Sequence, residues 1–349
     1  MRGGVNRKKI IVYIALAVII VIVSFAAIYM YKQFSKPVID FNGAQKVELL
    51  VPTGSDFTYV KNQMEAKGVL LDSKFFEILA DKKTYINNVK PGRYLLRDKM
   101  TANELINMLR SGNQVPIRFT FNNIRFVDVL AGLAAKKMEL DSADLSKLFH
   151  DDEYLSQFGF NQQTIVAMFL PNTYEFYWNT SADDFMKRMF KEYNKFWNQE
   201  RKDKASKVGL SPLDVSILAS IVQEETNRRD EMSRIAGVYI NRLHRGMLLQ
   251  ADPTARFAYG DFSVKRVTYD YLKIDSPYNT YIYKGLPPGP ICMPESITID
   301  KVLNYEKHKY IFFCAKADNS GYHVFAKTNG EHNRNAKAYH RYLNKHKIR

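Results

Sequence analysis

The stretch SPLDVSILASIVQEET, Ser211 to Thr226, decides how the second half of the chain is read. Ser211 can cap a helix, and Pro212 suits the first turn, where its missing N–H costs nothing. On a wheel at about 100° per residue, Leu213, Ile217, Leu218, Ile221 and Val222 form one apolar stripe. Glu225 follows Val222 by three residues and Ile221 by four, so it falls within about 20° of the stripe's centre. Glu224 lies near the stripe's edge and Gln223 on the opposite side. Of two adjacent glutamates, one is therefore aimed inward. A carboxyl against an apolar wall loses solvation of its charged form, and its pKa rises. A general acid working near neutral pH needs such a shift, for example to protonate a glycosidic oxygen. The same two glutamates could simply cap a solvated helix end, and the helix alone does not choose between these readings.

Upstream, residues 45–113 read as a small domain. KVELLVP (Lys46–Pro52) alternates like a strand, and Thr53-Gly54-Ser55-Asp56 supplies a turn and a helix cap. Asp72 and Ser73 can cap a second helix through Phe75, Phe76 and Leu79. Pro91-Gly92-Arg93 turns into a strand at Tyr94–Leu96, and Thr101 caps a helix carrying Leu105, Met108 and Leu109. The predicted order is strand, helix, helix, strand, helix, a size and pattern that suit a binding or spacer module. From 114 to 349 strand and helix mix. VPIRFTF (Val115–Phe121) alternates strongly, while 126–138 and 182–206 carry helical periodicity. The mixture places the chain in the α+β class.

At the N-terminus, Ile10–Tyr31 reads IIVYIALAVIIVIVSFAAIYMY, about 22 residues without a charge, enough to cross a bilayer as one helix. It is too long for the apolar core of a signal peptide. Arg2, Arg7, Lys8 and Lys9 form a basic tail over 1–9, which the positive-inside rule puts in the cytoplasm. Lys32 and Lys36 follow the span, so the asymmetry is modest. A polar linker over 32–44 carries Pro37 and Gly43. No second run of spanning length exists, so a single pass with everything beyond residue 32 outside the cytoplasmic membrane is predicted. The net charge is +15. With that topology, anionic headgroups and the carboxylates of cell-wall peptides suit the basic surface better than nucleic acid does. Cys292 and Cys314 are the two cysteines, compatible with one disulfide or with two buried thiols. No Cys/His cluster at metal-ligand spacing appears.

Several stretches together resemble the endolytic murein transglycosylase family, the MltG/YceG-like proteins. They are LPNTYEF (Leu170–Phe176), LASIVQEET (Leu218–Thr226), AGVYINRL (Ala236–Leu243), MLLQADPT (Met247–Thr254), SPYNTY (Ser276–Tyr281), GLPPGPI (Gly285–Ile291), GYHVF (Gly321–Phe325) and EHN (Glu331–Asn333). The ordered series runs from about 165 to 335 and is far more specific than any single member. The resemblance implies a membrane anchor over 10–31, a LysM-like module over 45–113 and a catalytic domain over 114–349. In that domain a helix similar to that of lysozyme-like lytic transglycosylases presents the acid. The family's catalytic glutamate directly precedes Thr, which is Glu225 here, the inward residue on the wheel. The family often has a second glutamate two residues earlier; this chain has Gln223.

The implied reaction cuts the MurNAc–GlcNAc bond of glycan strands without water and leaves a 1,6-anhydroMurNAc end. No cofactor is implied. Peptidoglycan synthases are the implied partners, with release or termination of nascent strands as the task. One group can act as acid and then base, so a second carboxylate is not required. Asp252 is the main candidate for one, although its Asp-Pro-Thr setting reads as a turn. Tyr278, Asn279, Thr280 and Tyr281 combine ring faces with amide and hydroxyl groups, a set suited to sugars or to an ordered loop. Gln250 and Asn241 could meet acetamido groups or satisfy backbone, and Thr254 completes the expected binding set. Glu295 reads as a helix start, and His323 as a packed residue on a strand. Two rival readings stay open: a muramidase that uses water, and a glycan-binding scaffold in which Glu225 is structural. A nucleic-acid binder survives only if Ile10–Tyr31 is not membrane-inserted.

Overall fold

The N-terminal apolar run forms one helix, α1 (Arg7–Ser35), with none of its residues buried and a mean hydropathy of 3.1 over its most apolar window. The structure, a computed structural model, describes residues 7–41, 46–262 and 269–346. Arg2 and residues 42–44 of the expected linker lie outside the described residues. α1 is long and apolar enough to span a membrane.

The chain divides into two units. The first takes residues 1–117 with 176–179. After α1 it runs β1 (Lys46–Val51), α2 (Phe57–Ala66), α3 (Ser73–Lys82), β2 (Gly92–Arg97) and α4 (Ala102–Ser111). β1 and β2 pair antiparallel from Lys46↔Arg97 to Val51↔Gly92. Asp56 caps α2, Asp72 caps α3, and Thr101 with Glu104 forms a capping box on α4. Leu49, Val51, Phe76, Tyr94 and Leu105 meet in one core. The alternation in KVELLVP thus supplies Leu49 and Val51 from one face of β1, as a half-buried strand requires.

The second unit takes residues 118–175 and 180–349. β3 (Ile117–Phe121) pairs with β4 (Asn172–Phe176), with α5 (Val127–Ala135), α6 (Ser142–Phe149) and α7 (Asp152–Ser156) between them in sequence. The predicted single helix over 182–206 is two, α8 (Ala182–Phe196) and α9 (Gln199–Val208). Trp197 buries its ring at the break, and Asn198 caps the new helix. Then come α10 (Pro212–Glu225), α11 (Met232–His244), α12 (Asp252–Tyr259), α13 (Tyr269–Lys273) and α14 (Ser296–Leu303). β5 (Phe312–Ala315), β6 (His323–Ala326) and α15 (Asn329–Lys345) complete the unit, and β5 and β6 pair antiparallel.

Ser211 and Asp214 form a capping box at the start of α10, with Pro212 in the first turn. Every residue from Val215 to Val222 is buried, including Ser216 and Ser220. The helix is therefore central, and the wheel's polar side faces protein. Ser216 and Ser220 make this tolerable by donating to the carbonyls of Pro212 and Ile217 in the helix itself, at 3.0 and 2.7 Å. α11, α12 and α14 pack around it. Asp252-Pro253-Thr254 is the first turn of α12, where proline's fixed φ is preorganised for helix.

Candidate active site

Glu225 is the last residue of α10; Thr226 turns extended at φ −149° and ends the helix. The carboxyl forms part of the wall of a cavity of about 670 Å³ built within the second unit. Tyr239, on α11, donates its hydroxyl to Glu225 Oε1. Burial raises the Glu225 pKa from 4.5 to about 8. The neighbouring Asp252 charge adds to the rise, while the Tyr239 hydrogen bond and the Arg242 guanidinium oppose it. The C-terminal end of a helix disfavours negative charge as well. A carboxyl in this setting holds its proton at neutral pH and can give it to a substrate oxygen.

Arg242, one turn beyond Tyr239 on α11, is buried and ties the cavity wall together. Its Nε donates to Ile311 O at 2.6 Å, and its Nη1 to Leu249 O at 2.7 Å and Gln250 Oε1 at 3.4 Å. Gln250 has a left-handed φ of +51°, a strained conformation for a side-chain-bearing residue, fixed by its N–H to Thr280 O at 3.0 Å. Asp252 stands on the same wall and accepts from the Tyr281 hydroxyl. Burial, then Asp252 and Glu225, push the Tyr281 phenol well up, so it stays a donor.

Of the residues expected at the site, Glu225, Gln250, Asp252 and Tyr281 line this cavity. Thr254 and Thr280 do not; both are buried beneath it. They bond each other at 2.7 Å, and Thr280 Oγ1 accepts from Ala251 N at 3.0 Å. Asn279 is fully buried and donates to Leu272 O and Ile274 O, holding the loop. Tyr278 packs on Phe257 with ring centroids 4.8 Å apart. These four shape the segments that carry Gln250, Asp252 and Tyr281. Asn241 satisfies the carbonyls of His308 and Tyr310, at 2.8 and 2.9 Å. Glu295 stands at the N-cap position of α14 without a side-chain capping bond, and its carboxylate pairs with Arg229. Cys292 and Cys314 are both free thiols. Gln223 points away from Glu225 but is not in solvent: its Oε1 accepts from Glu295 N at 2.7 Å and its Nε2 donates to Met293 O at 3.4 Å. Glu224 turns a third way, to Arg125 and to Asn123 Nδ2 at 2.8 Å.

Sequence reasoning missed five contributors. Tyr239 and Arg242 lie inside AGVYINRL, where their spacing on one helix face was the available signal. His323 is not merely packed: it lines the cavity, and Glu231, almost fully buried, accepts from both its backbone N–H and its Nδ1 at 3.0–3.2 Å. His332 and Asn333 of α15 close the far wall, from the EHN stretch. Among the described residues, no group of three or more His, Cys, Asp or Glu could hold a metal ion.

The profile of the YceG-like family matches residues 49–338. An endolytic murein transglycosylase of Bacillus subtilis is 29% identical over 310 residues, covering 84% of this chain and 84% of that protein. One of Streptococcus pneumoniae is 26% identical over 340 residues, covering 88% of this chain and 61% of its own length. A crystal structure of a YceG-like protein from Listeria monocytogenes matches 83% of this chain and 98% of that one, with a TM-score of 0.55 and 28% identity. The match runs through both units and through the cavity around Glu225: this chain belongs to the YceG-like family.

Proposed function

We propose that this chain is a lytic transglycosylase of peptidoglycan, with Glu225 as its acid and then its base. The observation that carries the reading is a half-buried carboxyl, its pKa raised to about 8 by its surroundings, in a cavity walled by polar and aromatic groups, in a chain similar to proteins named endolytic murein transglycosylases. Glu225 gives its proton to the glycosidic oxygen as the bond to MurNAc C1 breaks. The MurNAc C6 hydroxyl then attacks C1 and returns its proton to the Glu225 carboxylate. Bonds and protons balance without water, and the product is a 1,6-anhydroMurNAc end. Gln250, Asp252 and Tyr281 present groups to the sugar, while Thr254, Tyr278, Asn279 and Thr280 hold the loops that carry them. In the same reading α10 serves as a lysozyme-like catalytic helix. Residues 45–113 form a LysM-like module and 114–349 the catalytic domain. α1 anchors the protein in the cytoplasmic membrane with its basic tail inside and the rest outside. Release or termination of nascent strands beside peptidoglycan synthases is the proposed task.

One observation favours a second reading. Asp252 shares the cavity with Glu225, and two carboxylates flanking one bond are the usual equipment for hydrolysis. Full-length protein in detergent, incubated with purified peptidoglycan, separates the two by mass spectrometry. Anhydro ends that vanish in Glu225→Gln support the transglycosylase. Reducing ends that vanish in Glu225→Gln and in Asp252→Asn mean a muramidase. Binding without cleavage would leave a scaffold.

A further inference from the structure

The last turns of α1 are not free of the first unit. Phe34 meets Phe75 of α3 edge-on, with centroids 5.7 Å apart. Tyr29, Met30 and Phe34 form one wall of an apolar groove of about 420 Å³, and Phe75, Ile78 and Leu79 form the other. The tether is short. α1 ends at Ser35, and Val38 already donates to Met100 O at 2.9 Å while its own carbonyl accepts from Leu71 N at 2.8 Å. Three residues extend at most about 10 Å, so the unit cannot stand off from the end of the helix.

These distances fix a depth. The apolar run Ile10–Tyr31 is about 33 Å long as a helix, close to the thickness of a bilayer's hydrocarbon core. Tyr29 and Tyr31 then lie at its outer boundary, where tyrosine is favoured. Because α3 faces Tyr29 and Met30 across the groove, it lies at that same level. Its surface suits the place. Ile78 is 56% exposed on α3, and Leu71, two residues before the helix begins, is 59% exposed, so both offer apolar area to a membrane surface. Lys74 and Lys82 border the groove, and Asp72, the acidic group there, is engaged as the α3 cap. Apolar side chains flanked by ammonium groups on long stems are what the boundary between acyl chains and anionic headgroups accepts.

We infer that the α3 face of the small unit rests in the headgroup layer of the membrane that α1 enters, with Leu71 and Ile78 inserted and Lys74 and Lys82 on anionic lipid. This goes beyond the enzymatic reading and rests only on α1 being a membrane span.

The test uses full-length protein in vesicles of phosphatidylcholine and phosphatidylglycerol with brominated acyl chains. Tryptophan fluorescence is read for Ile78→Trp, for Ile19→Trp inside α1 and for Lys46→Trp on β1, after subtracting the unsubstituted protein. Quenching at 78 should exceed that at 46 by about twofold or more, with 19 quenched most, as expected for an interfacial side chain. Adding Lys74→Glu and Lys82→Glu should lower the quenching at 78 and leave that at 19 unchanged. Quenching at 78 no greater than at 46, with 19 strongly quenched, overturns the docking. Quenching at 78 that ignores both charge reversals overturns the role given to the lysines. An unquenched probe at 19 overturns the proposal at its root, because α1 would not be in the bilayer.

Discussion

Replacing Glu225 by Gln should make the protein more stable at neutral pH while abolishing cleavage. Glu225 has its pKa raised by burial from 4.5 to about 8. The sign follows from linkage. Below pH 4.5 the carboxyl is protonated in both folded and unfolded chains, and the site costs nothing. Between 4.5 and 8 the unfolded chain ionises and the folded one does not, so stability is lost as pH rises, and above 8 the loss is complete. At pH 7 the interval from 4.5 corresponds to about 3 kcal/mol, an upper value because part of the side chain reaches the cavity's solvent. At pH 5 it falls below about 1 kcal/mol. Glutamine keeps the shape and an acceptor for Tyr239 without an ionisable proton. Urea unfolding of wild type and Glu225→Gln, read by hydrogen exchange of α10 amides from pH 5 to 8, measures the difference directly. A variant less stable than wild type at pH 7, or a difference that does not grow with pH, would refute the reasoning.

Three further predictions use other parts of the site. Tyr239→Phe removes a hydrogen bond that lowers the Glu225 pKa, so the alkaline limb of the pH–rate curve on peptidoglycan should move upward; a downward move contradicts the assignment. Glu231→Gln leaves one acceptor oxygen where the His323 N–H and Nδ1 now meet a carboxylate. It should destabilise the start of β6 by roughly 1–2 kcal/mol, seen as faster exchange of the His323 amide. Gly237→Ala drives a Cβ into the Glu306 carbonyl oxygen, and it should cost about 1–3 kcal/mol in denaturant titrations. Gly132→Ala, on α5 with open space around it, serves as its control and should be neutral or slightly stabilising, since Ala is the better helix former.

Local chemistry made much of the fold legible. Caps such as Asp56, Asp72, Thr101 and Ser211 act between neighbours in sequence, so their helices could be placed before any tertiary contact was known. Wherever a distant segment decides the environment, sequence reading stopped. Ser216 and Ser220 look like the wet side of an amphipathic helix, and only the packing of α14 and Ile291 shows otherwise. Periodicity over 182–206 persists across Trp197, yet the helix ends there, with that ring buried and Asn198 capping the next helix. At the site, Glu225 was legible because its neighbours on the wheel lie in the same helix. His323 was not, because its partner Glu231 is 92 residues away in sequence. Thr280 and Asn279 have the chemistry of sugar contacts, yet the backbone of their own loop claims them first.

Three consecutive residues at the end of α10 show how one helix turn assigns different tasks to nearly identical side chains. Successive positions differ by about 100°, so Gln223, Glu224 and Glu225 must enter three surroundings. Glu224 enters one that holds the Arg125 guanidinium, and forms an ion pair. Gln223 enters the seam with residues 292–298. There it must accept from Glu295 N and Thr298 Oγ1 and donate to Met293 O at the same time. An amide does both, whereas a carboxylate could only accept and would face the Met293 carbonyl with no proton to offer. A glutamate at 223 would have to be protonated or recruit a cation in this chain, so glutamine fits this seam. Glu225 enters the surroundings in which the nearest cation, Arg242, is spent on the carbonyls of Leu249 and Ile311 and a second carboxylate, Asp252, stands nearby. Its neighbours favour keeping a proton, and so it is able to deliver one.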